Sequence, residues 1–197
     1  MSPAPMDDPD DRDMRRLMAG HDDALDALMD RHAQRLFHYL FRCLQDEGDA
    51  ADLSQECFVR VYRHRTRFTP GHRFSVWLYA IATNLLKDRY RWRSRHPSTC
   101  LSADTEGPNS ALIDVLPDTD PSPDQAAQAR ERSNVIRSAI AALPEALRQP
   151  LILAEYESLS HEEIGTVLGC STKAVETRLY RARQTLRTRL ARLLGAD

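Results

Sequence analysis

Lysine is nearly absent from this chain. Only Lys87 and Lys173 occur among its 27 basic residues, so arginine carries the positive charge, and its planar fork suits phosphates and base edges. Cysteine is sparse and scattered. Cys43, Cys57, Cys100 and Cys170 form no CxxC pair and have no histidine at finger spacing, which excludes a zinc finger and a disulfide framework. Cys43 and Cys57 fall in apolar patterns, where inert buried thiols are expected. No run approaches the apolar length of a membrane span, and the N-terminus lacks the basic head and apolar core of a signal peptide. A reduced, cytoplasmic protein that does not insert into a membrane is expected. Glycine-rich phosphate loops, HExxH and GxSxG are missing. Glu155, Glu157, Glu162 and Glu163 lie close in sequence but read as exposed helix carboxylates. His21, His32 and His38 share no ligand-like spacing with carboxylates. The expectation is a protein that is not an enzyme and holds no metal and no cofactor.

Charge of one sign does not dominate either: the formal net charge is −2. Its distribution is more telling. Acids dominate the first thirty residues and the stretch 104–124, whereas bases dominate 60–95 and 173–192. An ordinary mixed surface does not account for this segregation. Two positive patches point to two contact sites on one long partner, or on one partner.

The first patch culminates in Phe74–Arg95. Trp77, Leu78, Ile81 and Leu85 recur at helical spacing and define a core face. Lys87, Arg89, Arg91, Arg93 and Arg95 then crowd together around Tyr90 and Trp92, with only Asp88 opposing. Aromatics between arginines suit unpaired bases and phosphates. Which of Trp77, Tyr90 and Trp92 pack in the core and which touch bases stays open in the sequence.

In chain order, residues 1–20 read as an acidic, disordered N-terminus, with at most a short helix near Arg15–Leu17. Helices follow over 22–44 and, after Gly48, over 49–64. Residues 68–74, FTPGHRF, are a turn punctuated by Pro70 and Gly71. These elements and Phe74–Arg95 form a helical bundle over 21–95. The Pro-rich, acidic stretch 96–124 reads as a flexible linker. A second helical domain spans 125–194, with Pro144 breaking its first helix. The fold class expected is all-α: two small helical domains joined by a flexible acidic linker.

The second domain carries SHEEIGTVLGCSTKAVETRLYRAR. Ser160 and Glu163 make a capping box, Gly169 ends the helix, and Ser171 caps the next. This is the grammar of a helix-turn-helix, in which the second helix offers its N-terminal residues to the major groove. Thr172, Lys173, Glu176, Thr177 and Arg178 are candidate base-edge or backbone contacts, with Arg181 and Arg183 further along for phosphates. Asp52, Gln55 and Glu56 form a candidate protein-docking patch on the second helix.

Two segments together resemble the extracytoplasmic-function (group 4) sigma factors of bacterial RNA polymerase, of the sigma-70 superfamily: DAADLSQECFVRVYRHRTRFTPGHRFSVWLYAIATNLLKDRYR from Asp49, and LPEALRQPLILAEYESLSHEEIGTVLGCSTKAVETRLYRARQTLRTRL from Leu143. The resemblance implies a factor that binds core polymerase, directs it to specific promoters and helps melt the −10 element. It assigns Asp49, Asp52, Gln55, Glu56 and Arg60 to the clamp helices of the largest polymerase subunit. It assigns Phe68, Arg73, Phe74, Tyr79, Asn84, Lys87, Arg89, Tyr90, Arg91, Trp92 and Arg93 to the −10 element and its non-template strand. A base flipped from that strand would enter a pocket beside the loop 68–73. Ser171, Thr172, Lys173, Glu176, Thr177, Arg178, Arg181 and Arg183 would read the −35 element, and the flap region of the second-largest subunit would take the same domain. A cognate anti-sigma factor, membrane-bound in some relatives, is the implied inhibitor. The chain departs from many relatives at Ser75, where they carry arginine, and at Glu176, where they carry a base; an acid there can accept from cytosine N4. The alternative is a stand-alone helix-turn-helix repressor or activator, which leaves Phe74–Arg95 without a task.

Overall fold

The computed structural model describes residues 8–96 and 133–193, and among these every regular element is helical. The order is α1 (Pro9–Met18), α2 (Asp23–Leu44), α3 (Glu47–Arg63), a 3-10 turn (Arg65–Arg67), α4 (Phe74–Arg95), α5 (133–141), α6 (Glu145–Glu155), α7 (His161–Leu168) and α8 (Thr172–Leu193). The all-α expectation holds, with two helical domains. The acidic linker over 96–124 and the start of the second domain at 125 fall almost entirely outside the described residues.

The N-terminus departs from expectation. Residues 9–18 are a helix, not a disordered tail. The Asp8 carboxylate accepts from Asp10 N–H at 3.0 Å, Pro9 opens the first turn, acids fill that turn, and Arg15 and Arg16 fill the last. Each choice suits the orphan amides and dipole of a helix end. Met14 and Leu17, three apart, are fully buried against the bundle. Arg31 of α2 meets Asp10 at 2.8 Å and Asp13 at 2.7 Å. Composition suggested disorder because the partner of these aspartates lies about twenty residues away.

The first boundary also shifts. Gln45, at φ 55°, closes α2 in the left-handed region while its side-chain amide donates to Arg42 O at 2.7 Å. Asp46 then caps α3 by accepting from Asp49 N–H at 2.8 Å. Gly48 therefore sits inside the first turn of α3 and does not end α2.

Helix α4 lies at the centre of the molecule. It packs on α2 and α3 on one side and on α7 of the second domain on the other. Phe74, Val76, Leu78, Tyr79, Ala82, Thr83, Leu85 and Leu86 are all buried, while Trp77 and Ile81 are only partly so. One apolar stripe was expected; two packing partners explain why burial runs around the helix.

In the second domain Pro144 is the N-cap of α6. The capping box forms: Glu163 N–H donates to Ser160 Oγ at 3.2 Å, and Ser160 N–H to Glu163 Oε2 at 2.8 Å. The turn between α7 and α8 is tight. A Cβ on Gly165 would stand 2.7 Å from the Cys170 carbonyl oxygen, so glycine alone permits this approach. Ser171 Oγ accepts from Ala174 N–H at 3.2 Å and opens α8.

Candidate nucleic-acid interface

Helix α8 buries Val175, Leu179 and Ala182 against α6 and α7. That register turns Lys173, Glu176, Thr177 and Arg181 to solvent on the opposite side, with Ser171 and Thr172 at the exposed N-terminus. Tyr180, 65% exposed, shares this face. Tyr180 is absent from the sequence-based candidates, and its place three and four residues after Thr177 and Glu176 is the signal that puts it on this face. Two expected contacts are otherwise engaged. Arg183 pairs with Glu155 at 2.8 Å, and a guanidinium nitrogen of half-buried Arg178 lies 3.5 Å from Cys170 Sγ.

The −10 candidates divide sharply. Phe68, Phe74 and Trp77 pack edge-to-face or tilted, at centroid distances of 5.4 to 6.3 Å. Phe68 and Phe74 are buried, so they build the loop's two ends rather than meet bases. Tyr79 is buried and donates to Glu157, and its ring meets Tyr39 edge-on at 5.1 Å. Tyr90 donates to Cys43 O at 2.8 Å. Arg93 bridges Asp46 and Asp49 at 3.1 and 2.6 Å, and Arg89 meets Asp49 at 3.2 Å. These contacts fasten α4 to the start of α3. Asn84, Arg91 and Trp92 are exposed, Trp92 at 47%. Trp92 stacks on His96 and, with Arg60, Arg89, Arg91, Arg95, Leu53 and Leu85, lines a groove of about 760 Å³ between α3 and α4. Of the three aromatics left open by the sequence, Tyr90 and most of Trp77 are packed, and Trp92 is presented to solvent.

On α3, Asp52 and Gln55 are exposed, and Glu56 pairs with Arg60 at 2.9 Å. Val59, 40% exposed, extends this stripe and was not anticipated. Asp49 is committed to Arg89 and Arg93 and stands apart from it.

The domains meet along α4 and α2. Arg73 pairs with Glu163 at 2.8 Å, Arg35 with Glu157 at 3.4 Å, and Lys87 donates to Leu168 O at 3.5 Å. Arg148 donates to Cys43 O at 2.6 Å, at the carbonyl end of α2, and Arg42 lies 4.0 Å from the Tyr156 ring centre. Glu157 and Glu163 are buried, contrary to the exposed carboxylates expected, because the first domain covers them. Burial pushes the Glu163 carboxyl up, but hydrogen bonds from Ser160 and Arg73 outweigh it and hold the group below its ordinary value. Burial, then the neighbouring Glu157 charge, drives the Tyr79 phenol far above its usual range. Burial raises the Cys43 and Cys57 thiols to about 12, so neither supplies a thiolate. Among the described residues no cluster is arranged to hold a metal ion, and no helix is long and apolar enough to cross a membrane.

An open helix-turn-helix beside a helical bundle with an arginine- and tryptophan-lined groove has the chemistry of a nucleic-acid-binding protein. Comparison with known proteins makes the class specific. Residues 28–96 match sigma-70 region 2, and residues 133–186 match sigma-70 region 4. The chain is 32% identical to the ECF RNA polymerase sigma factor SigW of Bacillus subtilis, over 90% of this chain and 94% of SigW. It is 36% identical to the ECF sigma factor SigE of Mycolicibacterium smegmatis over 85% of this chain, spanning 62% of that longer relative. Among solved structures, CnrH in complex with the cytosolic domain of CnrY aligns over 96% of this chain and 99% of that chain, with TM-score 0.67 and 26% identity. The sigma factor RpoE of Bartonella quintana, in complex with the anti-sigma factor NepR, shares the fold at TM-score 0.63 and 21% identity, over 87% of this chain and 97% of that chain. The chain belongs to the extracytoplasmic-function sigma factors of the sigma-70 family. It is an alternative sigma factor that directs RNA polymerase, and sigma factors are regulatory proteins rather than enzymes.

Proposed function

We propose a division of labour over domains at 21–95 and 125–194. The exposed stripe Asp52, Gln55, Glu56 and Val59 docks on the clamp helices of core polymerase, with Arg60 at its edge. The groove carrying Arg89, Arg91, Trp92 and Arg95 holds the melted −10 strand, with Trp92 as the stacking platform. Loop 68–73 receives an extruded base. The solvent face of α8 reads the −35 duplex through Lys173, Glu176 and Thr177, with Tyr180 beside them and Arg181 on phosphate, while its domain meets the polymerase flap. The single observation that carries this reading is the open, polar N-terminal half of α8 on a braced helix-turn-helix.

Arg73, Tyr79 and Lys87 belong to the −10 set yet are occupied by the second domain. Their contact with DNA requires the domains to part, and a cognate anti-sigma factor acts by holding them together. The protein works in the cytoplasm, where core polymerase resides. Run-off transcription with purified core polymerase on genomic fragments tests the reading. Defined start sites are expected, lost on charge reversal at Arg181. Tight, operator-like duplex binding by the free chain, with no start sites, favours the repressor reading instead.

A further inference from the structure

Loop 68–73 is held from a direction that the sequence did not suggest. Its two ends are fixed by the buried aromatics Phe68 and Phe74. Its apex is Gly71, at φ 86°, where a side chain is disfavoured. The Gly71 N–H donates to Asp11 Oδ1 of α1 at 2.7 Å. The preceding aspartate reaches the other end: Asp10 Oδ2 lies 2.7 Å from His32 Nε2, and the His32 ring packs edge-on against Phe74 at 5.0 Å. Consecutive aspartates on one helix thus hold the apex and, through a histidine, the exit of the same loop. Helix α1 is itself immobilised by Met14 and Leu17 in the core and by Arg31 on Asp10 and Asp13. Arg73 and Phe74 also line, with Asp10, His32 and Arg35, a cavity of about 500 Å³ directly beside the loop.

We propose that α1 is the positioning element of the base-capture loop, with Asp11 the positioning residue that sets its apex through Gly71. A loop of six residues loses definition when its apex is released, because its ends and the His72 N–H to Thr69 O turn bond of 3.2 Å then hold it without any tie from the apex to the packed α1. An acceptor fixed on a packed helix makes the loop's shape independent of DNA and places its pocket before the base arrives. The acidic N-terminus then acts in promoter discrimination without touching DNA. This rests on the reading of loop 68–73 as the site of the extruded base.

The test uses the full chain with core polymerase on a promoter that the wild type opens, and on the same promoter with each other base at every −10 position. The readout is the ratio of open complex on the native base to that on the substituted bases, by permanganate reactivity. Loss of a charge-assisted hydrogen bond is expected to lower that ratio about tenfold in Asp11→Ala. Asp11→Asn keeps a neutral acceptor and is expected to lower it about threefold. Arg15→Ala removes the other partner of Asp11, at 2.8 Å, and is expected to leave the ratio unchanged. General destabilisation reduces opening on all templates alike and does not move the ratio. An unchanged ratio in Asp11→Ala overturns the proposal, and Asp11→Asn decides by the same criterion if the alanine variant does not fold. Absence of defined starts with the wild type would instead remove the underlying reading of the loop.

Discussion

Glu157 is where the two domains can be pried apart with one substitution. Its buried carboxylate accepts from Tyr79 of the first domain and faces Arg35 at 3.4 Å. Glu157→Leu removes the acceptor and leaves the buried Tyr79 hydroxyl without it for as long as the domains stay closed. A buried hydroxyl deprived of its partner costs about 1–3 kcal/mol. The Arg35 pair adds little, because Arg35 is largely exposed and screened. Taking about 2 kcal/mol, the closed-to-open ratio falls roughly thirtyfold, since 1.4 kcal/mol is about tenfold. The open form restores water to Tyr79 and frees Arg35. Small-angle X-ray scattering of the free chain measures the outcome as a larger radius of gyration, and transcription at limiting sigma measures it as easier loading. Glu157→Gln, which keeps an acceptor, should fall between. Scattering from Glu157→Leu that is identical to wild type would refute the reasoning and place the strength of the interface in its apolar contacts.

Three further outcomes are expected. Gly165→Ala forces a methyl to within 2.7 Å of the Cys170 carbonyl, against backbone that cannot turn aside, and should destabilise by about 1–3 kcal/mol in thermal or urea unfolding. The Glu163 carboxyl is depressed in the folded state, so its contribution is fully present above its ordinary value of 4.5 and is lost as pH falls through the lower folded value; stability measured from pH 6 downward should drop there, and less so in Glu163→Gln. Phe74→Ala should cost about 3–5 kcal/mol by opening an aromatic cavity, whereas Arg91→Ala with Trp92→Ala should leave unfolding unchanged and weaken promoter opening, most visibly at high salt.

Local grammar was legible wherever one segment satisfies itself. The Ser160–Glu163 box, the Gly169 stop and the Ser171 cap need only neighbours in sequence, and all three stand as written. The solvent-exposed face of α8 followed from helical period alone, Tyr180 included once the period is applied fully. Failures occurred where the deciding partner is distant. Asp10 and Asp13 looked like tail acids until Arg31 met them. Tyr90 looked available to bases because aromatics beside arginines resemble a stacking surface, and Phe68, Phe74 and Tyr79 were implied by family resemblance alone; a side chain's burial depends on what the rest of the chain lays over it.

By itself the sequence determined the helical class, the helix-turn-helix and the two cationic patches, because periodicity, capping and charge are properties of short segments. Tertiary structure alone decided which cations are free. Arg89 and Arg93 fasten α4 to α3, Arg73 and Lys87 face the second domain, and Arg91, paired only with its own-helix neighbour Asp88, stays exposed beside Trp92. The reason is physical: a guanidinium is committed or available according to the carboxylates and carbonyls within a few ångströms, and those come from helices far away in the chain.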